Sequence, residues 1–228
     1  MQLPNLLTRP AFNLIYPLIN LAKRGPFPPL VRRVQPVDGI RRKAFDGLLD
    51  EVIARGPSDF IAYHLPYPKI EFLLYACDWR GLVAHGSPLG DLATIEPIRK
   101  STDTSEFGSR QQIFASPDAI WAAWFAILDK KKYRSTCNSC IRSGSGVGRQ
   151  KAYFFQLPAA QKHEPPFGEG TVYLCRAEDF PHRHHIPPLA FFNAELEEWG
   201  STNPVIPLAK IAIQPADFPY LDRVQFRL

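Results

Sequence analysis

Long apolar runs are missing from this chain of 228 residues. No stretch approaches the ~18–20 apolar residues that a bilayer span needs. The moderately apolar segment 11–22 is broken by Asn13, Pro17 and Asn20. No secretory leader is legible. Cysteine is scarce: Cys77, Cys137, Cys140 and Cys175 are too few for a disulfide framework at this size. The expectation is a cytoplasmic protein with reduced thiols and no membrane partner. The chain also lacks a glycine-rich phosphate loop, a Gly-x-Gly-x-x-Gly dinucleotide fingerprint, a Gly-x-Ser-x-Gly elbow and a His-Glu-x-x-His helix, which removes the common routes to phosphoryl transfer, hydride transfer, serine hydrolysis and zinc proteolysis. The one Cys-x-x-Cys pair, Cys137-Asn138-Ser139-Cys140, has no second pair to complete a zinc site. Two further ligands would have to come from Cys77, Cys175, His182, His184 or His185. The expectation is no metal, with 182–185 a proline-flanked surface loop.

What is present is a core. The chain is 45% hydrophobic with 16 Phe, enough to bury one large domain. Proline is abundant at 23 residues, and proline interrupts helices and interior strands, so the elements should be short. The net charge of +5 leans towards anionic partners. Much of it is concentrated: Lys130, Lys131, Lys132, Arg134, Arg142, Arg149 and Lys151 follow one another with no intervening carboxylate. Residues 139–148 contain three glycines and three serines and no periodic apolar face, which predicts an exposed, mobile basic loop over 130–151.

Periodicity places the elements. Residues 1–37 read as a proline-rich arm. Asp38 can cap a helix over 38–56 with an apolar stripe of Ile40, Phe45, Leu48, Leu49 and Val52, ended by Gly56-Pro57. A second helix spans 68–79, and Gly81 stops it. Leu82-Val83-Ala84 is a short buried strand, and 111–115 is another. Ser116-Pro117-Asp118 opens a helix over 117–130, apolar nearly all round. Strands follow at 152–157, 170–175 and 204–213. Helices and short strands mix without a βαβ rhythm, which predicts an α+β fold: an arm and helix over 1–60 packed on a body over 61–228.

The chemistry is expected at the end of the first strand. His85-Gly86-Ser87 puts an imidazole and a hydroxyl where a glycine would let a ligand approach the backbone. Residues 85–126 resemble the core of the ADP-ribosyltransferases, in particular the poly(ADP-ribose) polymerase-like branch, in which a strand ending His-Gly-Ser or His-Gly-Thr is followed by a loop, a strand of the type Gly-x-x-Ile-Tyr-Phe-Ala, and a helix rich in small residues. Here the second strand reads Gly108-Ser109-Arg110-Gln111-Gln112-Ile113-Phe114-Ala115-Ser116. The resemblance implies small split antiparallel or mixed sheets with flanking helices and a cleft for NAD, used as substrate. His85, Gly86 and Ser87 would hold a ribose. Aligned on Ile113, Phe114 stands in place of the family tyrosine and would stack on nicotinamide, with Ser116 beside it; aligned on Phe114-Ala115, Ile113 stands there and the stacking ring is lost. A carboxylate before the last strand would support cleavage. Glu198 is best placed, because Glu198-Trp199 matches the family's Glu-Tyr pair, with Glu197 and Glu195 as alternatives; Glu195 to Glu198 also reads as the solvated end of a helix stopped by Gly200. The implied activity is ADP-ribosyl transfer to a protein or nucleic-acid acceptor reached through the basic segment from Lys130 to Lys151, or to water as a NAD glycohydrolase. The rival readings are a catalytically silent nucleotide-binding module and a nucleic-acid-binding protein.

Overall fold

A computed structural model describes residues 30–98, 105–129, 132, 136–159, 162–163, 166–186 and 193–226. Strand β1 (Leu30–Arg33) leads to helix α1 (Gly39–Arg55), helix α2 (Lys69–Asp78), strand β2 (Val83–Ser87), strand β3 (Ile113–Ala115) and helix α3 (Ala119–Ile127). Eight more strands follow: β4 (Cys137–Ser143), β5 (Gln150–Leu157), β6 (Gly170–Cys175), β7 (His182–Arg183), β8 (Ala194–Leu196), β9 (Trp199–Ser201), β10 (Ala209–Ile213) and β11 (Gln225–Phe226). The fold is α+β. Its strands form three small sheets, ordered β1-β5-β4-β8, β10-β6-β2 and β3-β9-β7. Every pairing within them is antiparallel, and β11 adds one parallel pairing to β5. No helix among the described residues is long and apolar enough to cross a membrane.

Capping follows the sequence at α1, where the Asp38 carboxylate accepts from Arg41 N at 2.9 Å. Phe45, Leu48, Leu49 and Val52 enter the main core, but Ile40 is exposed, since it sits in the open first turn. At α3 the cap is Asp118 rather than Ser116. Asp118 Oδ1 accepts from Trp121 N at 3.0 Å, and the Ser116 hydroxyl supports it by accepting from Asp118 N at 3.0 Å. The helix is therefore shorter than expected, and it is buried on nearly every side, as its composition requires.

The β10-β6-β2 sheet is the middle layer. Strand alternation sends Ala84, Val172, Leu174, Ala209, Ile211 and Ile213 into the core shared with the three helices. Val83, Tyr173 and Cys175 point the other way, into a smaller core shared with Ile113, Ala115 and Trp199 of the β3-β9-β7 sheet. Gly86 has the parity of Ala84 and so meets α3. A Cβ there would overlap the Ala122 carbonyl oxygen and come within 2.8 Å of Ala126 N; one on Gly170 would overlap the Ala126 carbonyl oxygen. Sheet and helix touch backbone to backbone at these two points. The space that the sequence reserves for a ligand at Gly86 is filled by α3.

From Cys137 onwards the basic segment is not a loop but the β4–β5 hairpin, turned through Gly144, Gly146 and Gly148, all at positive φ. Lys130, Lys131 and Arg134 lie outside the described residues. Lys151 is 1% exposed, and its ammonium donates to Pro117 O at 2.7 Å while lying 2.9 Å from Glu197, 3.2 Å from Asp78 and 3.3 Å from Asp118. Arg32 joins Asp78 at 2.7 Å and Asp118 at 3.0 Å, Arg149 joins Asp78 at 3.1 Å, and Arg142 joins both Glu197, at 2.9 Å, and Glu195. Four cations thus face four carboxylates. The sequence shows Arg142, Arg149 and Lys151 together and hides the rest: Arg32 arrives from β1, and the carboxylates from α2, the α3 cap, β8 and the β8–β9 link. Burial opposes charge on Asp118, but Lys151, Arg32, the Trp121 N–H and the Tyr153 hydroxyl outweigh it and hold the carboxyl at about 2. Burial likewise opposes charge on Lys151, and Glu197, Asp118 and Asp78 push it above the ordinary lysine range. Cys140, against this cluster, is raised by burial and is a poor thiolate.

Candidate functional site

The site begins with the parity of β2. Val83, His85 and Ser87 share the face turned away from the helices. His85 stands opposite Tyr173 on β6, with ring centroids 6.2 Å apart. Its Nδ1 lies 2.7 Å from the Phe114 carbonyl oxygen, so it is an N–H in that hydrogen bond. β2 and β3 are laced together just below, where Ala84 N donates to Ser116 O at 2.8 Å and Ser116 N donates to Ala84 O at 2.9 Å.

On β3, Ile113 and Ala115 are buried while Phe114 stands half-buried on the opposite face. Phe107 lies edge-on to Phe114 at 6.0 Å, and the His184 ring stacks on Phe107 at 4.7 Å and 20°. His184 Nδ1 lies 2.7 Å from Glu198 Oε2. The pairing follows from strand register: β7 opposes β9 with His182 on Gly200 and Arg183 on Trp199, so one step further His184 faces Glu198, and His184 N donates to Glu198 O at 3.0 Å. β9 in turn pairs with β3, Phe114 opposite Gly200. His85, Phe114, Phe107, His184 and Glu198 therefore form one continuous chain of contacts, from β2 and β3 to the residues that flank β7 and β9. Arg183 turns to the side and lies over the Trp199 ring at 3.3 Å.

The three glutamates part company here. Glu198 is half-buried against His184. Glu197 is 3% exposed and points the opposite way, held by Lys151 and Arg142; Glu195 projects from β8 to Arg142. Glu195 to Glu198 are not a helix end; Ala194–Leu196 is a strand that pairs with β4. Of the remaining residues singled out in the sequence, Ser87 is buried and its hydroxyl accepts from Leu89 N at 3.1 Å, and Ser116 is spent on the α3 cap.

Two members of the contact chain, Phe107 and His184, were not anticipated. The run 182–185 reads as a proline-flanked loop, but it enters a strand and puts His184 into the site. The signal was its alternation: His182 and His184 share parity, and only a partner strand gives that meaning. Cys137 and Cys140, three apart on one strand, point to opposite faces, which rules out joint ligation of a metal ion. Among the described residues no group of three or more His, Cys, Asp or Glu could hold a metal ion.

No protein-family model matches this chain, and neither the curated proteins nor the solved structures contain a match to it.

Proposed function

We propose that this chain is an ADP-ribosyltransferase that takes NAD as substrate and releases nicotinamide. One observation carries the reading: the His-Gly-Ser strand is hydrogen-bonded through His85 to the Ile-Phe-Ala strand at Phe114, and that strand pairs with β9, at whose N-terminal edge Glu198 stands. In this reading His85 and the Ser87 hydroxyl hold the ribose on the adenosine side, and Phe114 stacks on nicotinamide. The Glu198 carboxylate faces the ribose that becomes positively charged as nicotinamide departs. A carboxylate interacts more strongly with that developing charge than with the neutral sugar, so its benefit falls in the transition state. Glu197 is left out of the chemistry, because its charge is already committed to Lys151 and Arg142.

The test is incubation of the purified chain with NAD, with free nicotinamide resolved chromatographically. Release above the uncatalysed rate, abolished in His85→Ala, is expected. No release overturns the enzyme reading. A silent nucleotide-binding module is the second reading, supported by the ring at 114 that lacks the family hydroxyl; it predicts NAD binding by calorimetry without release. Docking of nucleic acid on the basic segment loses support from Arg142, Arg149 and Lys151, whose charges are met internally. Salt-steep nucleic-acid affinity would restore it.

A further inference from the structure

We infer that His184 and Glu198 form a catalytic dyad in which His184 is the general base for a hydroxyl-bearing acceptor. This rests on the reading of Glu198 given above. The Nδ1 atom of His184 is engaged by Glu198 Oε2 at 2.7 Å, and the ring is fixed by stacking on Phe107 and by the backbone bond from His184 N to Glu198 O. A carboxylate on Nδ1 keeps the proton there and leaves Nε2 as the basic nitrogen. Among the described residues Nε2 has no hydrogen-bond partner, nor is it one of the buried unsatisfied atoms, so it is open to an incoming group. Glu198 has two oxygens: Oε2 serves His184, while Oε1 remains for the ribose. One carboxylate thereby addresses both partners of the reaction.

The step balances as follows. The bond from C1′ of the ribose to the pyridinium nitrogen breaks, and its electron pair leaves on neutral nicotinamide. The acceptor oxygen forms the new C1′–O bond, and its proton passes to Nε2 of His184. The resulting imidazolium rests against the Glu198 carboxylate until solvent takes the proton. The acceptor class is a hydroxyl, including water; a group that carries no proton to surrender gains nothing from this base. Among the described residues, the other charged or titratable groups near the ring are Arg110, whose guanidinium pairs with Glu106 at 2.8 Å and lies over the far ring Phe107 at 5.7 Å, Arg183, which is turned to Trp199, and the neighbouring His182 and His185. Glu198 alone among them bonds the ring.

The experiment follows single-turnover nicotinamide release with saturating NAD, in water and with added methanol as the probe acceptor, across pH. Wild type should slow as pH falls, through one titration, and should form methyl ADP-riboside. His184→Asn keeps a donor near the Nδ1 position and removes the base. It should bind NAD as wild type does, turn over about 10²–10⁴-fold more slowly, and lose that titration. His184→Ala should recover part of its rate on adding imidazole. A His184→Asn variant within threefold of wild type with an unchanged pH profile overturns the dyad and leaves the proposed function standing. A wild type that releases no nicotinamide overturns both. Nitrogen NMR of wild-type protein gives a check independent of any variant's folding: neutral His184 protonated on Nδ1 supports the dyad, and neutral His184 protonated on Nε2 overturns it.

Discussion

Replacing Lys151 with methionine removes one buried positive charge and keeps a side chain of nearly the same length. The ammonium lies 2.9–3.3 Å from the carboxylates of Glu197, Asp78 and Asp118. At ~3 Å and an effective dielectric constant of ~20, each such pair is worth ~5 kcal/mol before desolvation. Burying the ammonium takes back several kcal/mol. Arg32, Arg142 and Arg149 stay in place and continue to screen the carboxylates. The net loss expected for a broken buried pair of this kind is about 3–5 kcal/mol. For a domain of this size each kcal/mol moves the midpoint by ~2–4 °C, so Lys151→Met should melt roughly 6–20 °C below wild type by circular dichroism. The loss should also depend on pH. Without Lys151 the Asp118 carboxyl protonates more readily, so the gap between variant and wild type should narrow as pH falls from 7 to 3. A loss under about 1 kcal/mol, or one that is the same at every pH, would refute charge compensation as the role of this lysine.

The remaining predictions concern other parts of the chain. Glu198→Gln should slow nicotinamide release by about 10²–10³-fold with little change in NAD affinity, whereas Glu197→Gln should cost about 3 kcal/mol of stability by leaving Lys151 and Arg142 short of a counter-charge; kinetics and denaturant melts on both variants separate the two roles. Gly86→Ala should cost about 3 kcal/mol or more, because the new methyl meets the α3 backbone rather than a side chain that can move. Asp118, at about 2 in the folded chain against about 4 unfolded, contributes about 2 kcal/mol that is fully present above pH ~4 and is lost as pH falls towards 2. Asp118→Asn should lack that share of the acid transition in pH-resolved unfolding.

Where local chemistry decides, the sequence was readable. The apolar stripe of α1, the all-round apolar α3 and the strands expected at 152–157 and 170–175 follow from periodicity and capping. Where the decision is made across the chain, it was not. β4 is poor in apolar residues: its backbone pairs with β5 and β8, Asn138 accepts from the Trp121 indole, and Arg142 reaches Glu195 and Glu197, while β1 lies in a proline-rich stretch that gives no strand signal until β5 pairs with it. The site shows the same division. His85 and Phe114 stand out by motif. Glu198 and Glu197 are separable only by parity, and parity is fixed by β9 pairing with β3 on one side and by Lys151 on the other. His184 is invisible until β7 is laid beside β9.

The two glycine contacts on α3 set a dimension. Wherever side chains separate a helix from a sheet, the gap between layers widens or narrows as core residues are exchanged. At Gly86 and Gly170 nothing intervenes, so the gap is a backbone thickness that no core substitution can retune. His85 is the neighbour of Gly86 and inherits that fixed height. Helix and sheet can trade leucine for isoleucine or alanine for serine elsewhere and the imidazole keeps its level above the layer. The face that carries it is thereby insulated from drift in the core beneath, and change is confined to the residues that line the face itself.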